Sequence, residues 1–173
     1  VLFRSIVVVR TYSKVWSMAA LRLGYCVAPT WVVDELEKVV LPYHLAAATQ
    51  AAGTVALRHG EEMRARVREL VGERDRLRLG LDGLPGIEPL PSGANFILFR
   101  VAGGAAAARA VWEGLIARRV LVRDFSTWPG VEGCLRVTVG TRAENDAFLA
   151  ALDRKSTRLN SSHTDISRMP SSA

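Results

Sequence analysis

One amine stands out among the groups that could do covalent chemistry. Lys14 lies in Arg10-Thr-Tyr-Ser-Lys-Val-Trp-Ser-Met-Ala-Ala-Leu-Arg-Leu-Gly-Tyr25, directly after the apolar run Ile6-Val-Val-Val9. The chain is rich in arginine but holds only three lysines, Lys14, Lys38 and Lys155. A lone lysine between hydroxyl residues at the end of an apolar run is therefore an odd choice for a mere surface charge. A primary amine forms a Schiff base with an aldehyde, which a guanidinium does not. Ser13 and Thr11 bring hydroxyls that can donate to an anion, and Arg22 can grip a phosphate through two parallel donors. Aldehyde capture and phosphate capture from one short segment suit a phosphorylated aldehyde cofactor.

Val120-Leu-Val-Arg-Asp124 and Gly133-Cys-Leu-Arg-Val-Thr-Val-Gly-Thr141 form a second constellation. Arg123 and Arg136 each interrupt an apolar run. A charge in such a setting must find a partner or face an open cleft, and two arginines from neighbouring strands can converge on one anion. The alternative is a pair of edge arginines neutralised by Asp124 and Glu132.

The stretch from Ser13 to Gly24 resembles the lysine segment of the fold-type I pyridoxal-phosphate aminotransferases, roughly S-K-x-x-x-x-A-G-x-R-x-G, and in particular that of the histidinol-phosphate aminotransferases. Arg123-Asp124 and Cys134-Leu-Arg-Val-Thr-Val-Gly-Thr141 are similar to two further elements of that family. Ala20 departs from the pattern, standing where the family usually has glycine. The resemblance implies pyridoxal 5′-phosphate as cofactor, with Lys14 as the catalytic Schiff-base lysine and Ser13, Arg22 and Thr11 on the cofactor phosphate. It implies Arg136 for the substrate anion, Arg123 as a second contact suited to a phosphorylated amine donor, and no metal. Asn95, in Ser92-Gly-Ala-Asn-Phe96, also matches the family; its side chain is read as satisfying backbone groups at a strand start. His44 and the four tryptophans receive no role.

The two ends differ in character from the rest. Residues 153–173 are polar, serine-rich and aperiodic, and cannot bury enough apolar surface to offset ordering entropy. They resemble a translated library adapter, as does the opening Val1-Leu-Phe-Arg-Ser5. Residues 1–5 are set aside as a non-native head and 153–173 as a non-native or disordered tail. These ends hold five basic and two acidic residues, so without them the formal charge falls from +6 to +3. A nucleic-acid partner, which needs clustered positive charge, loses its support. No apolar run nears the roughly 20 residues that span a bilayer. Cys26 and Cys134 lie in strand-like runs and are read as small buried hydrophobes.

Strand and helix patterns alternate through the remainder. Ile6–Arg10 and Leu23–Ala28 read as adjacent inner strands of a larger sheet. A helix starts near Thr30 as N-cap and is broken by Pro42-Tyr43-His44, and an alanine-rich helix spans Ala46–Arg58. A long charged helix spans Glu61–Leu81, with Met63, Val67, Leu70, Val71, Leu77 and Leu81 as its apolar stripe. Pro85-Gly86 and Pro89–Gly93 mark turns. Strands over 95–101, 120–123 and 134–139, with helices over 105–118 and 144–152, complete a small layer.

The expected fold class is α/β: the C-terminal part of the fold-type I pyridoxal-phosphate transferase fold. Residues 6–44 end the large cofactor domain, 45–84 are connecting helices, and 85–152 form the small domain. The resemblance covers about the C-terminal half of a full enzyme. The family's glycine-containing phosphate loop, stacking aromatic ring and pyridine-nitrogen aspartate come before the lysine and are not recognisable here; Asp34 and Asp124 both come after it. By resemblance, the expected reaction is transamination between histidinol phosphate and 2-oxoglutarate in histidine biosynthesis, by a cytoplasmic enzyme that is a homodimer at full length. An aromatic aminotransferase or a threonine-phosphate decarboxylase is the alternative on the same scaffold. A catalytically inactive partial chain is the alternative of another class.

Overall fold

The computed structural model describes residues 4–164, with side chains as far as residue 153. Of the set-aside head only Arg4 and Ser5 are described. The tail from 154 has no described side chains, and residues 165–173 lie outside the described part. The chain divides into two compact units, meeting between Val67 and Arg68.

In the first unit, β1 (Val8–Thr11) and β2 (Gly24–Val27) pair antiparallel, with Val8 opposite Val27 and Thr11 opposite Gly24. The expected adjacency holds. The side chains are open, however: Val9 is 74% and Val27 61% exposed. Cys26, expected to be buried, is exposed on the same pair because only one neighbouring strand flanks it. Helix α1 (Thr30–Glu37) starts at Thr30, the residue expected to cap it. Pro29 takes the cap position, and its carbonyl accepts from the amides of Val32 at 2.9 Å and Val33 at 3.2 Å. Helix α2 (Ala47–Leu57) comes next, and α3 (Gly60–Asp82) begins in this unit.

The second unit is a four-stranded antiparallel sheet in the order β3-β4-β6-β5, formed by Ile87–Pro89, Phe96–Val101, Cys134–Thr138 and Arg123–Asp124. Its helices are α4 (Gly104–Ile116), α5 (Arg142–Thr164) and the later part of α3. Strand β4 alternates as a one-faced strand must. Ile97, Phe99 and Val101 are buried in the core with Leu115, Leu135 and Phe148, while Phe96 and Leu98 are half-buried and Arg100 is exposed. Leu77 and Leu81 carry α3 into the same core, whereas Val67 and Val71 of the expected stripe are exposed.

Two strands depart from the sequence reading. β3 lies between the two expected turns and runs into the second at Pro89; it pairs with β4, with Ile87 opposite Val101. β5 is Arg123–Asp124 rather than 120–123. The Val120 amide is held by the Leu115 carbonyl at 3.0 Å, and the indole of Trp112 donates to the Val122 carbonyl at 3.0 Å, so these groups are spent on α4. α5 opens with a capping box: the Thr141 amide donates to Glu144 at 2.7 Å and the Glu144 amide to the Thr141 hydroxyl at 3.4 Å. Among the described residues no helix is long and apolar enough to cross a membrane.

Candidate active site

The lysine loop is closed by its own backbone. Beyond the β1–β2 ladder the Tyr12 amide donates to the Leu23 carbonyl at 3.0 Å, and the Met18 amide turns back to the Tyr12 carbonyl at 3.2 Å. Inside this ring the Ser17 amide donates to the Lys14 carbonyl at 3.0 Å, forming a tight turn that starts on Lys14. Tyr12 is buried and supports the loop, its ring 5.5 Å from Trp16 and 6.2 Å from Tyr25. Lys14 is exposed and makes no ion pair among the described residues. Lys38, by contrast, is held by Glu35 at 2.5 Å.

The hydroxyls of the loop are already ordered. Thr11 accepts from the Ser13 amide at 3.0 Å and donates its own proton to Ser13 Oγ at 2.8 Å. That leaves the Ser13 hydroxyl proton free to donate outward. Thr11 thus acts on Ser13 first. Arg22 comes directly after the 3-10 turn Ala19–Leu21 and adopts the left-handed conformation, φ 51°, ψ 36°. A non-glycine residue held there carries strain that the surroundings must impose. One guanidinium nitrogen, Nη1, donates to the Ala19 carbonyl at 3.0 Å, and the other donors remain available. Ala20 lies inside the 3-10 turn and is not among the positive-φ residues, so its methyl strains nothing.

Two glycines set the spacing of the loop. A Cβ on Gly24 would lie 2.7 Å from the Arg10 carbonyl oxygen, and one on Gly53 of α2 would lie 2.6 Å from Leu23 Cδ2. The strand pair and the helix close on either side of Leu23, next to Arg22. An amine, a free hydroxyl donor and a fixed guanidinium in one ring match the donor set that a phosphorylated aldehyde needs, so these residues fit such a cofactor.

In the second unit Arg123 and Arg136 stand directly opposite one another in the β5–β6 register. Both point to the open face of the sheet, as the alternation of β6 about buried Leu135 and Val137 requires. Neither is neutralised by a carboxylate among the described residues. Asp124, which could have paired with Arg123, instead accepts from the Ser126 amide at 2.8 Å and from Arg109 at 3.3 Å. Burial pushes the Asp124 carboxyl up, but the Ser126 and Arg109 hydrogen bonds outweigh it and hold the group below its ordinary value. Glu132 is bound by the Gly130 amide at 3.1 Å. Arg136 Nε is buried and has no hydrogen-bond partner. Like charges directly opposite are unfavourable in a sheet, so the pair is suited to an anion.

Sequence reasoning missed the aromatic surroundings. The Arg136 guanidinium carbon lies 4.9 Å from the Phe96 ring centre and 5.5 Å from that of Phe125, which is also 5.9 Å from the Arg123 guanidinium. The available signal was period two: Phe125 lies two residues after Arg123. The local role expected of Asn95 falls to Ser92, whose hydroxyl donates to the Phe96 carbonyl at 2.6 Å and accepts from the Ala94 amide at 3.1 Å. Among the described residues no cluster of metal-ligating side chains exists.

Known proteins resemble this chain in sequence and in fold. The histidinol-phosphate aminotransferase of Mycolicibacterium vanbaalenii is 45% identical over 149 residues, 86% of this chain and 38% of the relative. The chain therefore spans well under half the length of that curated relative. L-threonine-O-3-phosphate decarboxylase from Porphyromonas gingivalis superposes with a TM-score of 0.76 at 26% identity, over 91% of this chain and 47% of that one. Histidinol-phosphate aminotransferase from Sinorhizobium meliloti, solved with pyridoxal 5′-phosphate, superposes with a TM-score of 0.77 at 24% identity, over 90% of this chain and 42% of that one, a likeness of fold. Residues 4–152, from before the lysine loop to the end of the second core, match the family described as aminotransferase class I and II, and to that family this chain belongs.

Proposed function

We propose that this chain is the lysine- and arginine-bearing part of a pyridoxal-phosphate-dependent histidinol-phosphate aminotransferase, with 2-oxoglutarate as amino acceptor. The observation that carries the reading is the Arg123–Arg136 pair, two unneutralised guanidiniums in direct register on an open sheet face. Donor and acceptor in this reaction are both anionic, and the donor carries a phosphate. The lysine loop and the 45% identity to a curated histidinol-phosphate aminotransferase support the same reading.

In this reading Lys14 holds the cofactor through its amine, and Ser13 and Arg22 anchor the phosphate, with Thr11 ordering Ser13. When bound, the cofactor supplies an electron sink for charge left on the carbon that bears the amine. Once its amine is free, Lys14 Nζ takes the proton from that carbon as general base. Arg136 and Arg123 fix the substrate anion, a positioning and electrostatic task. Residues 6–44 then end the cofactor domain, 45–84 connect, and 85–152 form the small domain of a cytoplasmic homodimer.

The test uses the chain extended at its N-terminus to the length of its relatives. Glutamate formation from histidinol phosphate and 2-oxoglutarate is expected, and Lys14→Ala abolishes it. The likeness to the threonine-phosphate decarboxylase favours a second reading on the same scaffold. Carbon dioxide released from threonine phosphate, with no glutamate formed from histidinol phosphate, would select it.

A further inference from the structure

Phe125 is a half-buried aromatic residue outside the apolar core of its unit. It sits on the other face of the sheet. Its amide donates to the Cys134 carbonyl at 3.1 Å, and the Gly133 amide donates to the Ser126 carbonyl at 2.9 Å. The β5–β6 pairing therefore continues past Asp124, and strand alternation puts Phe125 on the same face as Arg123 and Arg136. The ring is held from behind by Trp128, edge to face at 4.9 Å and 73°, and the Trp128 amide closes a turn onto the Phe125 carbonyl at 2.9 Å. The two guanidiniums lie 5.9 Å (Arg123) and 5.5 Å (Arg136) from the Phe125 ring centre. Phe96 lies 4.9 Å from Arg136.

We propose that Phe125 is a positioning residue of the anion site. It lies against both guanidiniums and holds them in register, so that their forks address one oxyanion rather than separating into solvent. The inference rests on the reading that Arg136 and Arg123 bind an anion. Two like charges at directly opposed positions separate unless something retains them. No carboxylate does so among the described residues, and the aromatic ring is the group in contact with both. Nε of Arg136 is buried and unpartnered, and among the described residues its guanidinium enters no ion pair, so the terminal nitrogens are open to the ligand. Asp124, bound to Arg109 and Ser126, pins the strand on the opposite side.

The test is a titration of the 173-residue chain with inorganic phosphate, read by nuclear magnetic resonance on the Nε–Hε signals of Arg123 and Arg136. In the wild-type chain both signals should move together and saturate. Phe125→Leu should bind phosphate about fivefold or more weakly, with core amide signals unchanged, and Phe125→Tyr should restore the affinity. Phe125→Met fills irregular space with a flexible side chain, lacks the flat face, and reads the same quantity should the leucine variant fail to fold. Wild-type affinity in both ring-less variants, with both arginine signals still responding, would overturn the role of Phe125 and leave the anion site standing. No response of either arginine to phosphate in the wild-type chain would overturn the anion site as well.

Discussion

Asn145 donates from its side-chain amide to the Glu73 carboxylate at 2.9 Å, bridging α5 and α3 across 72 residues of sequence. The same carboxylate holds Arg76 at 2.7 Å, and Arg76 reaches on to Asp146 at 2.6 Å. Asn145 also accepts from the Gly140 amide at 3.0 Å through its side-chain oxygen. One carboxylate therefore ties together both helices and the turn that opens α5.

Hydrogen bonds from Arg76, then from Asn145, hold the Glu73 carboxyl below its usual value of 4.5. A group whose folded value is depressed adds stability above the unfolded value and loses it as pH falls through the folded one. The melting temperature of the second unit should therefore fall with acid below about pH 4.5. Glu73→Gln should be less stable at pH 7 and show a flatter acid limb. Parallel melting-temperature curves for the two chains from pH 7 to 3 would exclude this link.

The lysine assignment is checked by mapping. In the chain extended to full length, pyridoxal phosphate and then borohydride should leave the reduced adduct on the peptide containing Lys14. Lys38 should stay unlabelled, since it is paired with Glu35. An adduct on Lys38 would move the chemistry elsewhere.

The two strand arginines should separate in kinetics. Arg136→Ala should weaken both donor and acceptor, whereas Arg123→Ala should hurt a phosphorylated donor more than an unphosphorylated one. A lost charge-assisted contact is worth about 1.5–3 kcal/mol, or about ten- to hundredfold in kcat/KM. Equal losses for the two donors would remove the case for a phosphorylated substrate.

Glycines that look alike in sequence should differ in tolerance. Gly24→Ala drives a Cβ onto the Arg10 backbone carbonyl at 2.7 Å, which moves only if the strand pair moves. Gly53→Ala meets the end of the Leu23 side chain at 2.6 Å, which can rotate aside. Overpacking against a rigid neighbour costs about 1–3 kcal/mol. Chemical denaturation should therefore rank Gly24→Ala as the more damaging change, and the reverse order would be inconsistent with this packing.

Alone, the 173-residue chain should show no amino transfer, and hydrogen exchange should be slowest in β4, β6 and α4. These elements surround the buried Ile97, Phe99, Leu115 and Leu135, whereas β1 and β2 leave Val9 and Val27 open. Turnover by the isolated chain would refute this, as would faster exchange in β4 than in β1.

The lysine loop was more legible than the strands of the second unit. Lys14, Ser13 and Arg22 stand out by type and spacing, and the structure brings them into one backbone-closed loop, while their roles belong to the proposed function. β3 was hidden by Pro89 and its turn-forming neighbours; as an edge strand it tolerates a proline. Val120–Val122 looked like a strand because it is apolar, but its backbone is committed to the end of α4, where Arg119 takes φ 61°. For Phe125 the sequence offered only its period-two spacing from Arg123, and the strand itself ends at Asp124. Its contacts depend on the hairpin continuing past β5, which no local pattern announces.

The one-sided sheet has a consequence for how this sequence can drift. Along β4, Ile97, Phe99 and Val101 answer to folding, while Phe96, Leu98 and Arg100 on the other face are released from it. A saturation scan scored for abundance should therefore beat with a period of two residues along this strand, and a scan of the extended chain scored for growth that depends on the proposed reaction should add a second rhythm, out of phase, at Phe96. Where the two rhythms coincide, no residue is free to wander; where they part, the protein can retune its ligand without loosening its core.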